Sequence, residues 1–196
     1  MSQYFYKWRR HSKHADSWQR HKGQLNHPDR KWLYEHAEQP VLDVACGSGV
    51  DAAGFRGYVG LDVTASFLEA AKTYGAGNLV LGDGRHLPFR DRCFPTAYCK
   101  DLLLHLEYGD ALKVIAELVR VGRRAYVAWG VERDGSLYTP LPDREERTMR
   151  SGFWYNRFSR QQLNRVFHIG NVEEHTTITK IEDFYEECDK EDPQCH

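Results

Sequence analysis

Short apolar runs alternate with longer segments of helical periodicity over the first two thirds of the chain. Runs rich in Val, Leu, Tyr and Ala that end at Gly, Pro or Asp are typical of buried strands. Five such strands are predicted, at 40–46 (PVLDVAC), 57–63 (GYVGLDV), 78–83 (NLVLGD), 96–104 (TAYCKDLLL) and 124–130 (RAYVAWG).

Helices are predicted between and after these strands. Apolar residues at three- and four-residue spacing indicate helices at 27–39, 64–75, 109–122 and 159–168. Thr64, Asp110 and Ser159 stand at helix starts, where a side-chain oxygen can cap free backbone N–H groups. The stretch 171–187 predicts two strands or one long hairpin arm.

Strands that alternate with helices require crossover connections, so the fold class is α/β. We expect a doubly wound, mostly parallel sheet with helices on both faces. Ligands of such sheets bind beyond the carboxyl ends of the strands, where the strand order reverses. The loops after the first four strands are therefore the candidate site.

Composition narrows the class of protein. The chain has 196 residues, of which 28% are charged, and its formal net charge is −1. This length suits one domain, 1–196, and the balanced charge argues against a dedicated nucleic-acid binder. No apolar run is long enough to span a bilayer, and the basic N-terminus has no signal-peptide core. The five cysteines fit neither a disulfide framework nor a zinc site, which favours reduced thiols in the cytoplasm.

The ends of the chain differ from its centre. We expect the aromatic-rich residues 1–38 to form a helical cap or lid, and residues 188–196 to be a frayed tail. The oligomeric state is left open by the sequence.

Three predicted strand ends carry an aspartate, and the first is followed by Gly47-Ser48-Gly49. Glycines allow a ligand to approach the backbone, and the next helix start offers free N–H groups to a carboxylate. Asp43 can face an ammonium group, Asp62 can accept from ribose hydroxyls, and Asp83 can accept from the amine of adenine. S-adenosylmethionine carries all of these groups.

These stretches resemble the class I S-adenosylmethionine-dependent methyltransferases. The resemblance runs through VLDVACGSG, GLDVTASFLEAA, GDGRHLPFRDRCF, KDLLLHL and ELVRV, over residues 41 to about 121. It implies a seven-stranded sheet whose last strand is antiparallel and is supplied by the C-terminal hairpin. It also implies S-adenosyl-L-methionine as the cofactor, held at the methionine end, the ribose, the adenine and the sulfonium. The cofactor-binding residues that we predict are Asp43, Ala45, Gly47, Gly49, Asp62, Val63, Asp83, Gly84 and Lys100.

The chain departs from the family pattern at three places. Only residues 50–57 separate Gly49 from the second strand, so we expect a first helix of about two turns. Pro95-Thr96 replaces a common aspartate, and RVGRRAYV lacks the usual Pro-Gly-Gly turn before strand five. The family pattern therefore does not predict the conformations of these loops.

Candidate catalytic residues follow the fourth strand. Asp101 and His105 are possible bases for an acceptor hydroxyl, and Lys100 can hold an acidic acceptor. If the strand persists, Lys100 and Asp101 point to opposite sides and only one faces the site. His86 is a further candidate base. The alternatives are an exposed ion pair for Lys100 and Asp101, an intramolecular partner for His105 and a solvated loop for His86.

The methyl acceptor is less defined. We expect transfer to an oxygen or nitrogen of a small molecule such as a sugar, a nucleotide or an acidic metabolite. The segment 135–160, rich in arginine and aromatic residues, is the predicted acceptor-side insert. The DNA-base methyltransferase signatures are absent, while a tRNA substrate stays open.

Two other classes of function are alternatives to a methyltransferase. One is an NAD-dependent oxidoreductase, because Gly47–Ala52 fits G-x-G-x-x-A with Asp62 following. The other is a catalytically inactive relative.

Overall fold

The computed structural model describes residues 28–73, 75–129, 146–150, 153–166, 168–171 and 178–182. The strands are β1 (Val41–Val44), β2 (Tyr58–Asp62), β3 (Leu79–Leu81), β4 (Phe94–Lys100), β5 (Gly122–Ala128), β6 (Glu146–Arg150), β7 (Phe153–Arg157), β8 (His168–Asn171) and β9 (Ile178–Glu182). The α-helices are α1 (Pro28–His36), α2 (Ala65–Thr73), α3 (Tyr108–Val121) and α4 (Arg160–Leu163). Two 3₁₀ helices span Val50–Gly54 and Leu103–His105.

Seven strands form one sheet in the order β3-β2-β1-β4-β5-β9-β8. Strands β1 to β5 pair in parallel, whereas β9 is antiparallel to both β5 and β8. The predicted doubly wound fold, with an antiparallel strand from the C-terminal hairpin, is confirmed. The strand order reverses between β1 and β4, so the carboxyl ends of these two strands border the expected ligand crevice.

The alternation of side chains along the central strands divides the core into two layers. Leu42 of β1 and Cys99 of β4 pack in the layer that contains α3. Val41 and Tyr98, one position earlier on each strand, pack in the layer that contains Trp32 of α1 and residues of α2. Helices therefore cover both faces of the sheet. Asp43, two residues after Val41, points to the face covered by α1 and α2.

Several element boundaries differ from the predictions. Strand β4 ends at Lys100 and the leucines that follow enter a 3₁₀ helix, because the chain turns at the sheet edge. Glu107 is the residue before α3, and Asp110 lies within the first turn of the helix. The prediction that Asp110 is the N-cap was therefore wrong. The first crossover contains only the 3₁₀ helix 50–54, which confirms the expectation of a short helix.

The C-terminal third contains an element that the sequence pattern did not predict. Strands β6 and β7 pair as an antiparallel hairpin within the predicted insert 135–160. Ser159 is the N-cap of the short helix α4, as predicted, because its Oγ accepts from the N–H of Gln162 at 3.3 Å.

Parts of the predicted organisation lie outside the described residues. These are residues 1–27 of the N-terminal cap, residues 135–145 of the insert and the tail 188–196, so the division of the domain stays a prediction. Within the described ranges no helix combines the length and the apolar character that a membrane span needs.

The glycine turn after β1 packs tightly against α2. Gly49 has φ +70°, and a Cβ there would lie 2.8 Å from the Cβ of Ala71. Real Cβ atoms do not approach so closely, so glycine at this position allows the turn to lie directly on the helix. By contrast, Gly75 has φ +86° but open space around its Cα.

We predict that Gly49→Ala lowers the free energy of unfolding by about 2–4 kcal/mol, because left-handed strain adds to overpacking. Gly75→Ala is the matched control and should cost only about 1–2 kcal/mol, from the strain alone. Urea unfolding of the two variants measures both values. Equal losses would contradict the close packing of Gly49 on α2.

Candidate active site

A cavity of about 190 Å³ lies at the carboxyl ends of the central strands. This is several times the volume of a water molecule, so the space suits an organic ligand. Of the predicted cofactor-binding residues, those that line it are Asp43, Ala45, Gly47, Asp62, Val63, Asp83, Gly84 and Lys100. Gly49 does not line the cavity. The side on which a Cβ would lie is turned toward Ala71 of α2. The candidate catalytic residues Asp101 and His105 also line it.

Asp62 ends β2 with a buried carboxylate that connects two loops. Its Oδ2 accepts from the backbone N–H of Gly47 at 3.0 Å, and its Oδ1 accepts from the N–H of Thr64 at 2.8 Å. Burial raises the pKa of Asp62, and the backbone donors oppose this shift. The side chain of Thr64 and the N–H of Val63 also favour the charged form of this carboxylate.

Gly47 provides bare backbone beside this carboxylate. Its φ is +53°, and the position that a Cβ would occupy has no atom within 4 Å. Glycine is therefore required by the backbone conformation and not by a protein neighbour. A side chain here would project into the open space at the cavity.

Asp43 is a second buried carboxylate at the cavity. The hydroxyl of Tyr58 donates to its Oδ2 at 2.7 Å, and the side chain is shielded from solvent. Burial, with the nearby charge of Asp51, raises the pKa of Asp43 to about 7. The protonation of Asp43 therefore changes near neutral pH, and its charged form is favoured when a cation faces it.

Arg30 and Asp51 line the cavity, although no sequence pattern predicted them as site residues. Arg30, on α1, donates from Nε to Oδ1 of Asp51, and Tyr34 donates to the same oxygen at 3.0 Å. Both charged side chains are buried and both line the cavity. The pair joins α1 to the 3₁₀ helix after the glycine turn and places a guanidinium beside the acids.

Asp83 lies beyond β3 and is bound by Arg85. The Arg85 Nη2 donates to Oδ2 of Asp83 at 2.8 Å, and Nη1 donates to Asp110 Oδ2 at 2.9 Å. The hydrogen bonds of Arg85 outweigh burial and hold the pKa of Asp83 below its usual value. Arg85 and Asp110 also line the cavity, although the sequence pattern did not predict them as site residues.

Lys100 and Asp101 both face the cavity, contrary to the alternation expected of a continuing strand. Strand β4 ends at Lys100, and Asp101 has φ +57°, which turns its side chain back toward the same side. The Lys100 Nζ donates to Asp101 Oδ2 at 2.7 Å. The side chains are only 11% and 29% exposed, so the pair is not the exposed ion pair of the alternative interpretation.

The two candidate histidines differ in position. His105 is buried in the 3₁₀ helix 103–105 and lines the cavity. His86 is exposed and is not part of the lining, which supports the interpretation of a solvated loop residue.

The hairpin β6–β7 is anchored next to the cavity. The Asn156 Nδ2 donates to the carbonyl oxygen of Leu106, and Leu106 lines the cavity. Just after β7, Phe158 is buried against Trp129 and Tyr108, with ring centroids 5.9 and 6.0 Å apart. Asn156 of the predicted insert thus contacts the loop that carries the cavity residues His105 and Leu106.

Comparison with known proteins agrees with the fold. Residues 42–125 match the family model described as a methyltransferase domain. An O-methyltransferase of Aspergillus sclerotiorum, resE, is 30% identical over 109 residues, which cover 49% of this chain and 41% of the relative. The O-methyltransferase cnsE of Penicillium expansum is 34% identical over 101 residues, which cover 45% of this chain and 37% of the relative. The chain spans about two fifths of the length of these curated relatives.

A solved structure shows the same fold over most of the chain. The 1,6-didemethyltoxoflavin N1-methyltransferase of Burkholderia thailandensis, solved with bound 1,6-didemethyltoxoflavin and S-adenosylhomocysteine, has a TM-score of 0.59 to this chain. It is 15% identical, and the match covers 86% of this chain and 82% of that one. The predicted resemblance to methyltransferases is confirmed over residues 42–125, where the chain matches the methyltransferase-domain model.

We predict that Asp43 makes stability depend on pH. Because its pKa in the fold is raised to about 7, the contribution of Asp43 to stability is full below the unfolded pKa and is lost as pH rises toward 7. Asp43→Asn should therefore gain roughly 2 kcal/mol in free energy of unfolding, relative to the parent, between pH 5 and pH 8.

Chemical unfolding at the two pH values, without ligand, measures this difference. Glu35→Gln, which removes an exposed carboxylate of α1, controls for the loss of one charge and should change equally at both pH values. An Asp43→Asn profile parallel to that of the parent would contradict a buried carboxylate that titrates near neutrality.

Proposed function

We propose that this protein transfers a methyl group from S-adenosyl-L-methionine to an oxygen of a small-molecule acceptor. The observation that carries the proposal is the cavity itself, because acids from the ends of β1, β2 and the β3 loop meet there beside a glycine turn. The O-methyltransferase names of the fungal relatives, which match about half of this chain, favour oxygen over nitrogen as the nucleophile.

The donors and acceptors of the lining suit the cofactor. The carboxylate of Asp62, which lines the cavity, would accept from the ribose hydroxyls, and the open space above Gly47 leaves room for a ligand against the backbone. Asp43 would face the ammonium group and Arg30 the carboxylate of the methionine part. Asp83, with the backbone at Gly84, would hold the adenine.

An NAD-dependent oxidoreductase fits this lining less well. The phosphates of a dinucleotide would have to lie near the carboxylates of Asp43 and Asp51, and like charges repel. The methyltransferase is therefore the function that the charges favour.

When bound, the cofactor supplies a methyl carbon activated by a positively charged sulfur. The chain aligns the acceptor with that carbon, and one of its side chains takes up the proton that the acceptor loses. We assign proton acceptance to Asp101, with His105 as the second candidate, and assign Lys100 to an anionic group of the acceptor. Leu102 and Leu106 provide apolar contact on the same side of the cavity.

The acceptor side supports a small molecule more than a nucleic acid. On the side proposed for the acceptor, the lining combines the ion pair Lys100–Asp101 with the apolar side chains of Leu102 and Leu106. We therefore propose an acidic or hydroxylated metabolite. The alternative is a tRNA substrate, and a labelled-transfer experiment would detect it as methyl label in RNA.

The cysteines bear on where the protein works. Cys46, Cys93 and Cys99, the cysteines in the described ranges, are free thiols. Reduced thiols support our proposal of a cytoplasmic location.

We predict that S-adenosylhomocysteine binds with a dissociation constant in the micromolar range, near −8 kcal/mol, and that NAD does not bind. Asp62→Ala should weaken binding at least about tenfold, because it removes charge-assisted hydrogen bonds to the ribose. Isothermal titration measures both.

Asp62 also binds two backbone N–H groups, so the variant is compared at a temperature where thermal melting shows it folded. Undiminished affinity in folded Asp62→Ala would contradict the ribose contact. Heat with NAD alone would overturn the proposed function.

We predict that Asp101→Asn lowers methyl transfer at least about tenfold while leaving S-adenosylhomocysteine binding within about twofold. Asparagine tolerates the left-handed backbone of residue 101 but accepts no proton. Lys100→Met should instead raise the acceptor concentration needed for half-maximal rate.

Transfer of labelled methyl groups into fractionated cell extract, with separate small-molecule and RNA fractions, follows both variants. Glu107→Gln, a charge removal outside the lining, is the control. Parent-like rates in both Lys100→Met and Asp101→Asn would remove the pair from the site, and label in the RNA fraction would favour tRNA.

A further inference from the structure

One arginine binds two carboxylates at the end of the cavity where Asp83 lies. The Arg85 Nε lies 3.1 Å from both oxygens of Asp83, and its Nη2 lies 2.8 Å from Oδ2. Its Nη1 donates to Asp110 Oδ2 at 2.9 Å. The side chain of Arg85 is 10% exposed, and all three residues line the cavity.

These contacts fix a carboxylate that the fold alone leaves on a loop. Asp83 follows β3 by two residues, and its side chain is not held by a strand neighbour. The backbone N–H of Arg85 also donates to Oδ1 at 3.0 Å, so both oxygens are held from the same residue. Three N–H groups occupy most of the roughly four acceptor positions of the carboxylate, which leaves about one for a ligand.

The position of Arg85 between two acids sets the direction of Asp83. Asp110 lies in the first turn of α3, which is packed on the sheet, and is therefore the fixed side of the pair. Without the guanidinium, the carboxylates of Asp83 and Asp110 would share one end of the cavity as like charges. Repulsion would turn the loop residue, Asp83, away from the lining.

We propose that Arg85 is a positioning residue that determines which purine the site accepts, by holding the Asp83 carboxylate toward the ligand's exocyclic amine. The inference rests on the proposed function, because it assumes a purine nucleoside in the cavity. A site built to accept a hydrogen bond from an amine rejects a carbonyl at the same place, since two acceptors then face each other. Arg85 should thus control the ratio of the affinities for a ligand with an amine and a ligand with a carbonyl, and not only the affinity for each.

The experiment compares S-adenosylhomocysteine with S-inosylhomocysteine, which carries a carbonyl in place of the amine. Isothermal titration of the parent should show a preference for the adenosyl ligand of at least about tenfold. Arg85→Met, which keeps the aliphatic stem, should reduce this preference to within about threefold. Arg85→Lys keeps the charge but not the planar fork, so it should lower the preference to an intermediate value even if Arg85→Met does not fold.

Arg120→Met is the matched control. Arg120 also binds two carboxylates, those of Glu117 and Asp91, and it anchors the 87–91 loop to α3, but it does not line the cavity. This variant should lower thermal stability and leave the ratio of the two affinities unchanged. A purely structural role for Arg85 would likewise leave the ratio unchanged.

The outcomes separate this inference from the proposed function. A parent that binds the adenosyl ligand, with Arg85 variants that keep the full preference, overturns the role of Arg85 alone. The same holds if Arg120→Met lowers the preference as much, or if the parent binds both ligands equally. A parent that binds neither ligand overturns both the inference and the proposed function.

Discussion

The shape of the site depends on the buried carboxylate of Asp62. It receives the N–H of Gly47 from the turn after β1 and the N–H of Thr64 at the start of α2. Two loops from adjacent parallel strands are thereby held at one point, and the glycine turn cannot shift without losing a charge-assisted hydrogen bond. Burial opposes the charge of Asp62, so its ionised state depends on those same N–H groups.

Backbone conformation concentrates strain at this edge of the sheet. Ala45 and Asp101 have φ +63° and +57°, in the left-handed region that residues with a Cβ rarely adopt, and both line the cavity. At Asp101 the turn brings two adjacent charged side chains to one side. Strain of this kind persists where the surrounding structure holds it, and here the N–H of Asp101 is bound to the carbonyl of Ala128 on β5.

The parts of the fold that follow from local periodicity could be predicted from the sequence. The five parallel strands and three long helices have clear patterns, and the acids at the strand ends identify the cavity edge. Pairings such as Arg30 with Asp51, 21 residues apart, have no periodic signal and depend on how α1 packs. The hairpin β6–β7 was missed because neither strand alternates apolar and polar residues: β6 is mostly charged, and β7 begins with three aromatic residues in a row.

The charges of the lining distinguish the acids that support the fold from those that remain for a ligand. Within the described lining, each cation is bound to an acid: Arg30 to Asp51, Arg85 to Asp83 and Asp110, and Lys100 to Asp101.

Asp43 and Asp62 form no ion pair in the described residues and accept instead from a tyrosine hydroxyl and from backbone N–H groups. Neutral donors leave most of a carboxylate's negative charge uncompensated, and burial makes that charge costly. A ligand that brings an ammonium group to Asp43 and hydroxyl donors to Asp62 would reduce this cost, so these two acids would supply affinity for the cationic nucleoside that we propose as the cofactor.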